Sequence, residues 1–389
     1  MNLGFYIILL VQFLSALADN ALLFVAIALL QAVHAPDWHI PLLLQFFVLS
    51  YILLAPFVGP IADAYPKGRV MFVSNAIKFI GSLAMLLGMQ PLFAYGIVGI
   101  GAAAYSPAKY GILTEYLAPQ MLVKANGWME GSTVLAIILG ALLGGKLATI
   151  GTFWALIIIC ALYLAAAGFN VYIPKLPIDH KLPKRNPLFV LHDFYRAFMA
   201  LWRDKQGQVS LAVTTLFWGA GATLRLVVIA WAATALNFSL EDSTLLMVVV
   251  AVGLALGSIV AGRIIKLEHS IKVLPAGIIM GVLVLAMIFV HDWRIASVLL
   301  FAIGVLSGFF VVPLNALLQH RGHLLIGAGH SIAVQNFNEN LGILLLIGVY
   351  TMMVKAELPV NSIVIAFGLF ISVSMGAIYS VYRHQRHFR

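Results

Sequence analysis

Twelve long apolar stretches dominate the chain and limit what it can fold into. Each runs for about 20 residues or more, the length at which an α-helix crosses a ~30 Å hydrocarbon layer. Of the 389 residues, 62% are hydrophobic and 10% are charged, against about 25% charged residues in soluble domains. The sequence therefore predicts an all-α, multi-pass membrane protein whose twelve transmembrane helices span residues 5–33, 40–62, 70–90, 92–118, 122–147, 150–173, 207–235, 243–265, 271–291, 294–319, 325–353 and 360–382.

One long polar connector, residues 174–206, separates the first six apolar stretches from the last six. This division predicts an N-terminal six-helix bundle at 1–173 and a C-terminal six-helix bundle with a basic tail at 207–389. Within the connector, 189–202 has the pattern of a basic amphipathic helix that lies on the membrane surface. The connector's positive charges are Lys175, Lys181, Lys184, Arg185, Arg196, Arg203 and Lys205.

The basic residues that give the chain its net charge of +9 are distributed over several loops rather than clustered in one patch. Most Lys and Arg residues fall in the connector, in the tail and in loops on the side that holds the N-terminus. Loops rich in Lys and Arg face the cytoplasm, so the distribution predicts that both termini are cytoplasmic. Because membrane topology accounts for the basic residues, no nucleic acid is expected as a partner.

The two halves repeat one another in sequence. AAYSPAKYGIL at 103–113 aligns with FFVVPLNALLQ at 309–319, and VKANGWMEG at 123–131 aligns with IAVQNFNEN at 332–340. Matches that recur in the same order indicate two parallel six-helix repeats related by an axis along the membrane normal.

Asp19 lies near the middle of the first apolar stretch, where a carboxylate is costly. Intramembrane ionisable residues usually face a cavity or a partner and mark a transport path. Gln12, Ser15 and Asp19 share one helical face, and the seventh stretch carries Arg225 at a similar depth. We predict that Asp19 and Arg225 form an ion pair. The alternative is that Asp19 is a structural residue in a helix contact.

Intramembrane polar residues concentrate on stretches 1, 4, 5, 7, 10 and 11, which are expected to line the substrate path. Lys78 is interpreted as a snorkelling or structural lysine, and two interpretations of Lys109 stay open, a site residue or a snorkelling one. Glu130 and Glu339 suit structural support as well as function, and Trp218 suits packing. The candidates for substrate binding or gating are Asp19, Asn20, Tyr105, Lys109, Tyr110, Asn126, Glu130, Trp218, Arg225, Asn315, Gln335, Asn336 and Glu339.

The loop between the second and third stretches carries GPIADAYPKGR at 59–69. Gly59 and Asp63, followed by Lys67 and Arg69, resemble the loop signature of the major facilitator superfamily, although Pro66 and Lys67 interrupt its basic spacing. An aspartate here is able to cap a helix terminus and pair with a nearby cation. We therefore predict that Gly59, Asp63, Lys67 and Arg69 form a latch for one gate.

The chain as a whole resembles the bacterial lysophospholipid transporter (LplT) family. The resemblance rests on ADNALLF at 18–24, GAAAYSPAKYGIL at 101–113, FWGAGATLR at 217–225, FFVVPLNALLQHRG at 309–322 and AVQNFNEN at 333–340. It implies a major facilitator fold in the bacterial inner membrane. It also implies movement of lysophospholipids, notably lysophosphatidylethanolamine, from the outer to the cytoplasmic leaflet, where an acyltransferase/acyl-carrier-protein synthetase reacylates them. A monomer without a cofactor or metal is expected.

The candidate residues suit such a substrate, and rival functions remain open at this stage. A zwitterionic head group needs a cation for its phosphate, which Arg225 or Lys109 would supply, and an anion for its ammonium, such as Asp19. The main rival is a proton-coupled exporter of amphipathic drugs or metabolites with Asp19 as its proton site. A lipid-modifying enzyme is disfavoured because the sequence lacks the His-x-x-x-x-Asp acyltransferase signature, and a scaffold without transport is the last alternative.

Overall fold

In the computed structural model, which describes residues 2–35, 39–177 and 186–387, all regular structure in the described ranges is helical. Short 3-10 segments lead into α5 and α10, at Pro119–Met121 and Leu267–Val273, and another, Met287–Phe289, follows α10. The α-helices are α1 (Leu3–Ala32), α2 (His39–Ala64), α3 (Lys67–Leu86), α4 (Pro91–Tyr116), α5 (Leu122–Ile150), α6 (Thr152–Asn170), α7 (Pro187–Arg203), α8 (Lys205–Ala235), α9 (Leu240–Ile264), α10 (Leu274–Ala286), α11 (Trp293–Ile326), α12 (Ala328–Lys355) and α13 (Val360–His387).

Eleven helical segments in the described ranges are long and apolar enough to cross a membrane. Helix α4 has 26 residues and is long enough as well, but its tyrosines, glycines and prolines make it less apolar than the others. With α4 as the twelfth long helix, the prediction of an all-α protein with twelve membrane-spanning helices is confirmed. The predicted helix boundaries differ from the observed ones by a few residues at most ends, as fraying and capping lead one to expect.

Helix α7 is the amphipathic helix predicted at 189–202, and its observed bounds are Pro187–Arg203. The prediction placed this helix on the membrane surface, but one of its faces packs on protein. The rings of Phe194 and Phe337 meet edge to face with centroids 5.5 Å apart. Leu188 and Tyr195 lie on another face and are exposed. The basic residues Lys181, Lys184 and Arg185 of the predicted connector lie outside the described residues.

The chain forms two compact units, whose limits do not follow the simple order of the sequence. Unit 1 comprises Met1–Ala118, Leu135–Ala200 and Gly322–Phe337, and unit 2 comprises Pro119–Val134, Leu201–Arg321 and Asn338–Arg389. The long helices α5 and α12 each contribute to both units. The division at 174–206 into two sequential bundles stays a prediction.

In unit 1, glycines let the helices that carry the site approach closely. A Cβ atom on Gly140 or Gly144 of α5 would collide with the backbone of α1 at Leu17 and Ala21. A Cβ atom on Gly101 of α4 would lie 2.7 Å from the Ser74 carbonyl oxygen of α3. Small residues four apart commonly bring membrane helices this close. Helices α1, α3 and α4 are thereby fixed against their neighbours.

Unit 2 uses the same device between α9 and α11. Gly253 and Gly257 of α9 face the backbone of Phe301 and Val305, and a Cβ atom on either glycine would collide with it. The spacing of four residues puts both glycines on one helical face. These two glycines therefore permit a close contact between α9 and α11.

Candidate functional site

Asp19 on α1 is half-buried and forms two short hydrogen bonds within unit 1. Its Oδ2 atom lies 2.7 Å from Lys78 Nζ of α3, and its Oδ1 atom accepts a hydrogen bond of 2.7 Å from the Tyr163 hydroxyl of α6. The exposed fraction of the side chain is 19% for Asp19 and 2% for Lys78. The Asp19 side chain therefore keeps some exposed surface, whereas the side chain of its cationic partner is enclosed.

Polar residues on α1 and α3 extend this cluster. Lys78 donates a second hydrogen bond, 3.0 Å long, to Ser15 Oγ, and the Ser15 hydroxyl donates to Asn75 Oδ1 at 2.7 Å. Lys78 Nζ also lies 4.7 Å from the centroid of the Tyr105 ring on α4, within the range of a cation–π interaction. A buried ion pair offsets its desolvation only when further contacts satisfy both partners, and these residues supply such contacts.

The sequence left two interpretations of Lys78 open, a snorkelling or a structural lysine, and the structure supports the structural one because the side chain is buried among the helices. Lys78 is 1% exposed and pairs with Asp19. The sequence had predicted Arg225, not Lys78, as the ion-pair partner of Asp19. The Arg225 side chain is exposed. The signal for Lys78 was present in the sequence, since Asn75, Lys78 and Ser82 share one face of α3.

The other unit 1 candidates lie on α1, α4 and the first turns of α12. Asn20 donates to the Ala16 carbonyl of its own helix at 2.8 Å. Lys109 Nζ lies over the Tyr110 ring, 4.1 Å from its centroid. Asn336 donates to Ser106 Oγ at 2.9 Å. Unit 1 holds the candidates Asp19, Asn20, Tyr105, Lys109, Tyr110, Gln335 and Asn336.

The remaining candidates lie in unit 2, where Asn126 has a clear structural partner. Asn126 and Gln319 exchange two side-chain amide hydrogen bonds, each 2.8 Å long, between α5 and α11. Glu130, Asn315 and Glu339 are buried, and the Trp218 ring packs edge to face on Phe217. Unit 2 holds Asn126, Glu130, Trp218, Arg225, Asn315 and Glu339.

Asp63 of the loop signature caps the first turn of α12 within unit 1. Its Oδ1 atom accepts from the Gly329 N–H at 2.6 Å, and its Oδ2 atom accepts from the His330 N–H at 3.0 Å. Gly59 allows this approach, because a Cβ atom there would lie 3.0 Å from His330 Cα. A carboxylate at a helix N-terminus satisfies free N–H groups and interacts favourably with the helix dipole.

Lys67 and His330 complete the charge balance around Asp63. Lys67 Nζ lies 3.4 Å from Asp63 Oδ1 and 2.7 Å from Glu115 Oε1. The His330 ring joins Asp63, at 2.6 Å, to Asp193 of α7, at 3.2 Å. His330, Asp193 and Glu115 were not among the predicted latch residues, because nothing in their local sequence indicates contacts with residues so distant in the chain. Arg69, predicted in the same latch, is exposed.

A third charged contact, also missed from sequence, joins α8 to the end of α11 in unit 2. Asp204 accepts from the Gly207 N–H at 2.9 Å as the N-cap of α8, and Arg321 Nε donates to it at 3.0 Å. Burial raises the pKa of the Asp204 carboxyl, but the hydrogen bonds from Arg321 and the backbone outweigh burial and hold the pKa below its usual range. No group of three or more His, Cys, Asp or Glu able to hold a metal ion occurs among the described residues.

Comparisons with known proteins agree on the fold and on the family. Residues 8–347 match the family model of the Major Facilitator Superfamily. The chain is 47% identical over 365 residues to a lysophospholipid transporter LplT of Enterobacter sp. strain 638, covering 94% of this chain and 92% of that protein. It is 45% identical over 377 residues to a lysophospholipid transporter LplT of Escherichia coli, covering 97% and 95%.

Solved structures of major facilitator transporters share the fold at low sequence identity. The transporter FucP in the outward conformation gives a TM-score of 0.76 at 13% identity and covers 98% of both chains. A bacterial homologue of the iron transporter ferroportin gives a TM-score of 0.77 at 14% identity, covering 98% of this chain and all of that one. At such identities the likeness shows the fold alone.

Proposed function

Because the chain belongs to the lysophospholipid transporter LplT family of the Major Facilitator Superfamily, we propose that it moves lysophospholipids across the membrane by alternating access. The observation that carries the proposal is the identity of 45% to 47% over nearly the full length of transporters of that name. The proposed substrates include lysophosphatidylethanolamine, and the proposed direction is from the outer to the cytoplasmic leaflet, for reacylation. Transport rather than catalysis is the activity that the superfamily match supports.

The accessible face of Asp19 supports recognition of the lipid head group. A carboxylate accepts hydrogen bonds from ammonium and hydroxyl groups, and both occur in phospholipid head groups. Asn20, Tyr105 and Asn336 offer further polar contacts in unit 1, and Lys109 supplies a cation for the phosphate. Tyr110 and Gln335, and in unit 2 Asn126, Glu130, Trp218, Arg225, Asn315 and Glu339, are proposed for substrate binding or gating.

The contact of Asp63 with the first turn of α12 supports a gating role for the loop signature. Asp63 and Lys67 are buried, so separating them from α12 and α4 would expose charges that are now paired. Such a contact stabilises one state of a two-state element and is released in the other. We assign Gly59, Asp63, Lys67 and Arg69 to this latch.

The remaining features of the proposal follow from the family and from the distribution of charge. We propose that the protein is a multi-pass monomer of the bacterial inner membrane. The concentration of Lys and Arg in one set of loops favours a cytoplasmic location for both termini. Its functional partner is the acyltransferase/acyl-carrier-protein synthetase that would consume the imported lysolipid. No cofactor enters the proposal.

Reconstitution into liposomes tests the proposal directly. The purified protein is inserted into vesicles that carry labelled lysophosphatidylethanolamine in the outer leaflet, and transfer to the inner leaflet is followed with and without an imposed proton gradient. Protein-dependent transfer is expected, with the Asp19→Ala variant strongly impaired. A wild-type protein that leaves the lysolipid in place, yet moves an amphipathic drug when a proton gradient is imposed, would overturn the proposal in favour of an exporter.

A further inference from the structure

Lys78 places a positive charge directly behind the accessible carboxylate of Asp19. The Nζ to Oδ2 distance is 2.7 Å, and the lysine side chain is only 2% exposed against 19% for the aspartate. A ligand is therefore able to reach Asp19 without reaching Lys78. What the ligand meets is a carboxylate whose charge has already been compensated.

The surroundings of the pair hold this arrangement in place. Ser15 on α1 accepts from Lys78, and the Tyr163 hydroxyl on α6 donates to the second oxygen of Asp19. On α4, the Tyr105 ring lies against the ammonium. Phenols are neutral near pH 7, so the charges of the cluster are those of Asp19 and Lys78, and they cancel.

We propose that Lys78 is a positioning residue that sets the head-group charge selectivity of the transporter by neutralising Asp19. With the pair intact, the site accepts hydrogen-bond donors from zwitterionic head groups and from head groups with a net negative charge, such as phosphoglycerol. This inference rests on the proposed lysophospholipid transport. It concerns a residue that would not itself touch the substrate.

Removal of the Lys78 charge gives a specific expectation. An uncompensated carboxylate attracts an ammonium and repels a head group that carries only a phosphate charge. Unit charges several ångströms apart in a partly buried site interact strongly enough to change relative rates by roughly ten-fold or more. Loss of helix packing would instead slow both substrates alike.

The test measures the ratio of transfer rates for lysophosphatidylglycerol and lysophosphatidylethanolamine in proteoliposomes. The variants are Lys78→Met, which keeps the side-chain length, Lys78→Arg, which keeps the charge, and the double variant Asp19→Asn with Lys78→Met, which restores a neutral pair. Lys146→Met is the matched control, because Lys146 is an exposed lysine on α5. Folding is checked by size-exclusion chromatography and thermal unfolding in detergent.

We expect Lys78→Met to lower the ratio at least ten-fold, and we expect Lys78→Arg, the double variant and Lys146→Met to keep it near the wild-type value. An unchanged ratio in Lys78→Met, or a wild-type protein that rejects lysophosphatidylglycerol while it carries lysophosphatidylethanolamine, overturns the role of Lys78 and leaves the proposed function standing. A wild-type protein that carries neither lipid overturns the proposed function itself. If Lys78→Met does not fold, a changed ratio in the neutral double variant counts against the inference.

Discussion

Replacing Asp63 with asparagine removes the charge that caps the first turn of α12 while keeping the shape of the side chain. In the wild-type protein, Asp63 Oδ1 accepts from the Gly329 N–H, and Oδ2 accepts from the His330 N–H and from the His330 ring. Lys67 Nζ lies 3.4 Å from Oδ1. Hydrogen bonds to a charged group contribute about 1.5 to 3 kcal/mol each and neutral ones about 0.5 to 1.5 kcal/mol. An asparagine retains one acceptor oxygen, so one of the two backbone hydrogen bonds becomes neutral and the other is lost. Closure of this turn should therefore weaken by about 2.5 to 4.5 kcal/mol.

Hydrogen exchange of the first amides of α12 measures this loss. Because each 1.4 kcal/mol is a factor of ten, exchange at Gly329, His330 and Ser331 should become roughly 60 to 1,600 times faster in Asp63→Asn when these amides exchange by local opening. Lysolipid transfer is followed in the same variant to ask whether the latch matters for transport.

Asp292 supplies a matched control for this experiment. It accepts from the Arg294 N–H at 2.8 Å at the start of α11 and is exposed, so Asp292→Asn removes a helix cap of the same chemistry at an unrelated place. Exchange in α12 should not change in this control. A folded Asp63→Asn protein whose α12 amides exchange at the wild-type rate would refute the assignment of Asp63 as the cap that holds this turn.

Three further predictions concern other contacts. In a double-mutant cycle, Asn126→Ala and Gln319→Ala should each lower thermal stability. Because the two side chains exchange two hydrogen bonds, their effects should be non-additive by about 0.5 to 3 kcal/mol. Additive effects would contradict the pairing. The contribution of Asp204 to stability should be present above its unfolded-state pKa of about 3.9 and lost as pH falls through its lower folded-state pKa, so the difference in melting temperature between wild type and Asp204→Asn should shrink on strong acidification. Gly101→Ala should destabilise the protein, because its Cβ atom would lie 2.7 Å from a backbone oxygen. Gly145→Ala on α5 is the control: nothing lies within 4 Å of a Cβ atom there, so it should be neutral or slightly stabilising. Equal melting temperatures for the two variants would argue against the close approach of α3 and α4.

The elements of the fold followed from the sequence because a bilayer leaves few choices. Backbone groups in the hydrocarbon layer must be satisfied within the spanning segment, as an α-helix does, so apolar length alone predicted the long helices. Hydropathy does not report what a helix packs against. For this reason the amphipathic pattern at 189–202 predicted α7 but not the contact of Phe194 with Phe337.

The sequence predicted the location of a charged side chain where only one environment was within its reach. It did not do so where the side chain was long enough to reach either water or the protein interior. A carboxylate as short as that of Asp19 cannot extend from mid-membrane to water, so its inward direction followed from its position. The four-carbon stem of Lys78 allows either snorkelling or burial, and only the opposing Ser15 and Asp19 decide between them. Asp63 was predicted as a helix cap, but the helix that it caps begins more than 260 residues later in the chain, at Ala328.

The two charge clusters of unit 1 share the same pair of helices. Lys67 and Lys78 lie on α3, eleven residues or about 16 Å apart along the helix axis, and each meets a side chain of α4: Lys67 pairs with Glu115 at 2.7 Å, and Lys78 lies over the ring of Tyr105. Because α3 is a single helix that packs closely on α4 at Gly101, a rigid-body shift of α3 would displace the backbone of both lysines together. Such a shift would change the contact of Lys78 with Asp19 at one end and the contact of Lys67 with Asp63 at the other.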